Sequence, residues 1–326
     1  MHKNARIFVA GHRGLAGSAI VRGLEEKGYS NLILRTHAQL DLTDREAVNA
    51  FFREEKPEYV FLAAALVGGI LANATYPADF IRENLEIQTH VVDTSYRNGV
   101  KRLLFLGSSC IYPKLAPQPL KEEYLLTGPL EPTNRAYALA KIAGIEMCWA
   151  YNRQHGTRYL AAMPTNLYGP GDNFDPERAH VLPALMYKAV KAKLQGERKL
   201  QVWGSGTPRR ELLYSDDFAG ACIHLLALPD SVFDGLLSQE QAPLVNIGTG
   251  TDLSIREIAE CVARVLEFDC ELEFDLSRPD GTPRKVLDVS RIHSLGWNAR
   301  TGLEEGIRKT YNLARTQLES HVLQAG

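Results

Sequence analysis

Cysteine is sparse in this chain: five residues in 326, at positions 110, 148, 222, 261 and 270, an odd number with no CxxC spacing. That pattern excludes a disulfide framework and supplies no zinc-ligand set, so no metal site is expected. It fits a reducing compartment, and the cytoplasm is the expected location. Long hydrophobic runs are missing too. The longest apolar stretch, Tyr59 to Ala72, holds two glycines and is too short to span a bilayer. The opening residues Met1-His2-Lys3-Asn4 lead directly into a strand-like run, which leaves no space for a secretion signal. Neither charge sign is in excess. There are 37 basic and 39 acidic residues, a formal net charge of −2, so neither nucleic acid nor a membrane surface is an expected partner. Internal repeats and low-complexity segments are absent. What remains is an ordinary globular composition, 45% hydrophobic and 23% charged, sized for one large domain and a smaller lobe.

The first half alternates strand-like and helix-like patterns. Strands are expected near Ile7–Ala10, Leu32–Leu34, Tyr59–Ala63, Arg102–Gly107 and Arg158–Met163. Helices are expected over Ser18–Lys27, Asp44–Glu55, Ile81–Asn98 and Arg135–His155. Such alternation predicts an α/β fold: a Rossmann-type, doubly wound parallel sheet with helices on both faces. Tyr168-Gly169-Pro170-Gly171-Asp172-Asn173 is a turn-rich break, and Val245-Asn246-Ile247-Gly248 reads as a late strand returning to the sheet. The expected division is therefore 1–170 plus a return segment at about 211–250 for the dinucleotide domain. Residues 171–210 and 251–326 would form a smaller, mixed α/β C-terminal substrate lobe, with a turn at Arg278-Pro279-Asp280-Gly281-Thr282-Pro283.

The first strand runs straight into Gly11-His12-Arg13-Gly14-Leu15-Ala16-Gly17, with glycines spaced GxxGxxG. Glycine permits the tight turn, lets backbone approach a pyrophosphate and lets helix pack close to strand. The N–H groups at the helix start then face the phosphates. An ordinary glycine-rich βα turn would read the same in isolation; its place at the head of a βαβ pattern favours the cofactor. An enzyme using NAD usually ends its second strand in Asp or Glu, on the ribose 2′-hydroxyl. Here Arg35 stands there, and Arg13 lies in the glycine loop. Two guanidiniums suit a 2′-phosphate through charge-assisted hydrogen bonds, so NADP(H) is the expected cofactor. The alternative is a pair of solvated surface arginines. His37 is a further candidate contact, and Asp41 is placed to reach the adenine edge.

Ser108 follows the apolar run Leu103-Leu104-Phe105-Leu106-Gly107, and Tyr137 precedes Lys141 by four residues. On a helix that spacing puts both side chains on one face. A free phenol has a pKa of about 10, and a nearby ammonium is expected to lower it. A hydroxyl at the carboxyl end of a buried strand sits where open α/β sheets bind ligands. The three groups suit proton exchange with a substrate hydroxyl or carbonyl while a cofactor moves a hydride. YxxxK alone also arises by chance on exposed helices.

Together these residues resemble the extended short-chain dehydrogenase/reductases. Longer strings narrow the likeness: Ala63 to Asn73, Leu106 to Lys114, Pro164 to Pro170, Val202 to Pro208 and Arg278 to Lys285. They are similar to GDP-4-keto-6-deoxy-D-mannose 3,5-epimerase/4-reductases, from about residue 5 to residue 315. One departure is His37, where related bacterial enzymes carry arginine. The resemblance implies a catalytic set of Ser108, Cys110, Tyr137, Lys141 and His180, with Cys110 as base and His180 as acid in the two inversions. It implies that Tyr137 supplies a proton at C4, that Ser108 binds the oxygen and that Lys141 holds the nicotinamide ribose. Expected cofactor contacts are Gly11 to Gly17, Arg35, Asp41, Leu106, Gly107, Lys141, Pro164, Asn166, Leu167 and His180. Lys188, Trp203, Arg210 and Asp280 would bind the GDP-sugar, and a homodimer is implied through the helices Ile81–Asn98 and Arg135–His155.

Each site residue has a plainer reading. Cys110 suits a buried small hydrophobe, and His180 a surface residue at a helix start. Trp203 suits core, Arg210 a surface ion pair, and Asp280 a turn former. At the level of activity the competing readings are a 4-epimerase, a dehydratase, a relative acting on the 3-deoxy sugar, and a catalytically idle NADP-binding protein.

Overall fold

A computed structural model describes residues 1–175, 179–278 and 280–325. Pro279, within the expected turn at 278–283, lies outside the described residues. The strands are β1 (Ile7–Ala10), β2 (Leu32–Ile33), β3 (Tyr59–Leu62), β4 (Arg102–Leu106), β5 (Tyr159–Pro164), β6 (Asn166–Tyr168), β7 (Lys199–Trp203), β8 (Arg209–Arg210), β9 (Leu212–Tyr214), β10 (Leu244–Ile247), β11 (Leu253–Ser254), β12 (Glu271–Asp275) and β13 (Arg284–Lys285). The helices are α1 (Leu15–Glu26), α2 (Arg45–Glu55), α3 (Ile70–Thr75), α4 (Pro77–Arg97), α5 (Arg135–His155), α6 (Val181–Leu194), α7 (Ser215–Ala227), α8 (Asp230–Asp234), α9 (Ile255–Val265), α10 (Ser290–Ser294) and α11 (Leu303–Ala325).

Six strands form one parallel sheet in the order β10-β5-β4-β3-β1-β2. Its inner strands read as continuous apolar runs because helices cover both faces: IFVA in β1 and LLFL in β4 are buried throughout. Helix α1 packs on α7, while α2, α4 and α5 pack in series. Phe8, Phe52, Phe61 and Phe105 lie fully inside the resulting core. The chain order reverses between β1 and β3, so the crevice outside their carboxyl ends is the topological switch point.

The remaining strands pair in small sets: β7 with β12, β8 between β11 and β13, and β6 with β9. With α6, α9 and α11 they enclose a second core around Leu182, Met186, Leu200, Val202, Ile258 and Val262. Leu287, Val289 and Ile292 return to the first core. Local signals set several ends. Asp44 accepts from the Glu46 and Ala47 N–H groups to start α2, and Ser254 with Glu257 forms a capping box on α9. Gly156, at φ +65, closes α5. Helix α1 begins at Leu15, three residues ahead of the expected Ser18, because the glycine loop itself turns into the helix.

Candidate active site

The glycine loop occupies the switch point. Gly11 has φ +81, and a Cβ there would fall 2.6 Å from the Ala64 nitrogen in the loop after β3. A Cβ on Gly17 would fall 2.1 Å from the Gly11 carbonyl oxygen. The two glycines thus let three stretches of backbone meet. Gly14 donates to the Gly11 carbonyl at 3.0 Å and precedes α1, whose first turn has neither a side-chain cap nor an acidic residue. Unfilled N–H groups at that end suit a pyrophosphate, and Arg13 has no carboxylate within ion-pair distance among the described residues. A backbone cradle that side chains would fill, beside an unpaired guanidinium, fits a phosphorylated dinucleotide.

Arg35 is placed differently from Arg13. Its Nη2 pairs with Glu55, its Nη1 donates to the Leu34 carbonyl at 2.9 Å, and its guanidinium lies 5.7 Å from the Phe51 ring centroid. The His12 ring borders the Arg35 backbone; burial, then the Arg13 charge, hold its pKa below the usual value. Asp41 turns one carboxylate oxygen onto Thr43, at 2.9 Å from the nitrogen and 2.7 Å from the hydroxyl, which lowers its pKa.

At the carboxyl end of β4, Ser108 caps a short 3-10 turn over Ser109–Ile111 and its hydroxyl accepts from the Cys110 N–H at 3.4 Å. The Tyr137 phenol lies beside the same hydroxyl, close enough for Ser108 to act on its titration. Lys141, one helical turn on, is 3% exposed and donates to the Leu106 carbonyl at 2.8 Å. Its ammonium lies 5.7 Å from the Tyr137 ring centroid. Burial pushes Lys141 down to about 8, opposed by the Cys110 charge. The expected lowering of the Tyr137 pKa does not occur. Burial raises it, the neighbouring thiol raises it further, and Ser108 opposes them. Burial of the phenol prevails, so it keeps its proton and stands as a donor.

Cys110 is 9% exposed, and burial pushes its thiol up against the opposing pull of Lys285, then Ser108 and Lys141. His180 occupies the N-cap position of α6, with no side-chain cap hydrogen bond. Its ring is crowded by protein yet reachable by solvent, and burial followed by Lys285 lowers its pKa. Protonated thiol and neutral imidazole are therefore the resting forms. Lys285 bears on both, and no role was assigned to it from sequence. It lies on β13, in register with Arg210 on β8, and its own pKa is lowered by burial and by Arg210. Its only sequence signal is a basic residue after a turn.

The elements around the second core supply further cations. Arg210 donates from Nη1 to the carbonyls of Arg209 at 2.8 Å and Thr282 at 2.5 Å. Trp203 is 42% exposed, so it is not core. The Lys188 Nζ lies 4.0 Å from its ring centroid and the Arg278 guanidinium carbon 4.8 Å. Burial brings Lys188 down to about 8. Asp280 spends both oxygens on Ser205, at 2.9 Å to the nitrogen and 2.7 Å to the hydroxyl, and so holds the turn at Gly204, φ +78. Arg278, like Lys285, carried no assigned role in the sequence. Among the described residues none of Lys188, Arg210, Arg278 and Lys285 has a carboxylate within ion-pair distance. Asp275 acts on Lys188 and Arg278, and Asp280 on Arg210, from beyond pairing distance, and cations so little engaged suit a diphosphate. No group of metal-ligating side chains is found among the described residues.

Residues 7–247 match the NAD dependent epimerase/dehydratase family. The chain is 57% identical over 310 residues to GDP-L-fucose synthase 1 of Arabidopsis thaliana, covering 95% of this chain and 93% of that one. It is 53% identical over 308 residues to the GDP-L-fucose synthase of Escherichia coli, covering 94% and 95%. Among solved structures it is similar to MlghC, a GDP-mannoheptose C4 reductase from Campylobacter jejuni with NADP bound. That likeness has a TM-score of 0.88 at 42% identity, over 97% of this chain and 99% of that one. The chain belongs to the NAD dependent epimerase/dehydratase family.

Proposed function

We propose that this chain converts GDP-4-keto-6-deoxy-D-mannose to GDP-L-fucose, inverting C3 and C5 and then reducing C4 with NADPH. The observation that carries the reading is the position of the Ser108 hydroxyl, which accepts from the Cys110 N–H and lies beside the Tyr137 phenol. It puts a carbon-acid site and a carbonyl-reduction site in one cleft. The 57% identity to a GDP-L-fucose synthase over most of both chains supports the substrate.

The C4 ketone acidifies the protons on C3 and C5. Cys110 removes a proton from one face after passing its own proton to solvent, and His180 returns one to the other. Lys285 and Lys141 lower the cost of the thiolate. Tyr137 and Ser108 donate to the C4 oxygen, which takes up charge in the enolate and again during reduction. The glycine loop, Arg13, Lys141 and the Pro164–Leu167 segment would hold NADPH, which when bound supplies hydride to C4. Tyr137 gives its proton to the resulting alkoxide. Arg210, Lys188 and Arg278 bind the diphosphate end, with Trp203 as a flat wall; Asp280 acts by holding the turn. In this division residues 1–170 and about 211–250 carry the cofactor, and 171–210 with 251–326 carry the sugar nucleotide.

We further assign a homodimer built on α4 and α5, whose outer faces leave Tyr96 and Leu139 exposed, and a cytoplasmic location, in keeping with five unpaired cysteines. Light scattering checks the first and fractionation the second. The reaction is tested by incubating the protein with GDP-4-keto-6-deoxy-D-mannose and NADPH in D2O. Absorbance follows cofactor use and NMR identifies the product. Deuterium at C3 and C5 of GDP-L-fucose is expected; a product reduced at C4 without inversion would refute the epimerase half.

A further inference from the structure

We propose that Asn246, acting through Tyr112, is a positioning residue for Cys110: it anchors the turn that carries the thiol to the outer strand of the sheet. The turn over Ser109–Ile111 has little to hold it from within. Its Ile111 N–H reaches the Ser108 carbonyl at 3.2 Å and its Cys110 N–H the Ser108 hydroxyl at 3.4 Å, at and beyond the long end of the usual range. Short 3-10 turns have poor hydrogen-bond geometry in any case. Tyr112, two residues past Cys110, ends the turn in extended backbone. Its phenol donates to Asn246 Oδ1 at 2.5 Å.

Asn246 lies on β10, and β5 stands between β10 and β4. The bond therefore ties the turn after β4 to a strand two places away. Both side chains are buried. The amide is itself fixed. Its Nδ2 donates to the Leu120 carbonyl at 2.9 Å, and the Asn246 N–H donates to Glu122 Oε1 at 3.1 Å. A carbonyl only accepts, so the amide cannot turn over, and Oδ1 is left for the phenol. Burial, then the Glu122 charge, keep that phenol protonated and so a donor. Arg291 donates to the Leu244 carbonyl on the same strand at 2.9 Å, so the outer edge of β10 is closed and the anchor is a rigid one. A buried phenol–amide bond also stabilises a fold, but this one ends two residues from a group whose reaction is sensitive to small misplacement. The inference rests on the reading of Cys110 as the base.

The test uses the intact protein, Tyr112→Phe and Asn246→Ser, each in two assays. The first follows deuterium entry at C3 and C5 of GDP-4-keto-6-deoxy-D-mannose in D2O without NADPH. The second follows NADPH oxidation on a keto-sugar already inverted at both centres. Each variant is expected to lose about tenfold in deuterium entry, short of the ~10²-fold that a 1 Å misplacement costs, with NADPH oxidation unchanged within twofold. A loss of folded protein lowers both rates alike, so equal losses in the two assays assign the bond to stability and overturn the positioning role. Unchanged deuterium entry in Tyr112→Phe overturns it too. Should Tyr112→Phe fail to fold, the same two readings of Asn246→Ser decide. Absence of deuterium entry in the intact protein overturns the reading of Cys110 as the base instead.

Discussion

Cys110 and Tyr137 meet at one hydroxyl, and substitutions that separate their roles test the cleft residue by residue. Cys110→Ala is expected to cut deuterium exchange at C3 and C5 by about 10²-fold or more, the usual scale for a lost acid–base group. Reduction of a keto-sugar already inverted at both centres should fall much less, and equal losses would refute the division. Tyr137→Phe is expected to lower the rate of NADPH oxidation by a similar factor while leaving NADPH affinity within twofold. Single-turnover absorbance and equilibrium titration read the two effects. Lys141 carries a pH signature. Its ammonium sits at about 8 in the fold against 10.5 unfolded. Below pH 8 the fold bears the full cost of the buried charge; between 8 and 10.5 the unfolded chain binds more protons, so stability from this group rises with pH. Lys141→Met should therefore be inactive yet melt a few degrees higher at pH 7, with the gain shrinking by pH 10 in calorimetry. Tyr137 and Lys141 were legible because their spacing is local, and Ser108 because it follows a buried apolar run. Lys285 and Arg278 were not, since a lone cation after a turn gives no sign of which wall it faces until strand register places it.

At the scale of elements, the glycine loop is the most constrained piece. The extra methyl of Gly17→Ala would meet a carbonyl oxygen in the backbone rather than a yielding side chain. The loop must shift, so affinity for both NADPH and NADH should fall at least tenfold, as titration of each dinucleotide would show; selective loss of NADPH alone would contradict a backbone role. The main strands were readable as short apolar runs, three of which, β1, β4 and β10, run directly into glycine. The two-residue strands β8, β11 and β13 were not. No periodicity is expressed in two residues, and their pairing joins segments up to 75 positions apart, Arg209 with Arg284. The glycine loop's second-strand partner was legible as Arg35, but its pairing with Glu55 was not, because nothing local marks which carboxylate a guanidinium will choose.

Across the whole molecule, one carboxylate ties together segments far apart in sequence. Glu211 is wholly buried and accepts from the N–H groups of Thr249 at 2.6 Å, Gly250 at 2.7 Å and Leu287 at 2.8 Å. Its backbone carbonyl accepts from Thr165 and Asn166. Glu211→Ala leaves three backbone donors, one buried and two part-buried, without their acceptor and is expected to destabilise the fold by about 2 kcal/mol, measured by denaturant unfolding, with a smaller loss for Glu211→Gln; equal and negligible losses would show that the tie is not structural. The six parallel strands have a practical corollary. All their carboxyl ends open on one rim, and the opposite rim is knitted by Glu58 to Lys101 and Arg6. An affinity handle or a solid support attached at that far rim would leave the mouth of the cleft facing outward, so the immobilised protein should turn over substrate as it does in solution.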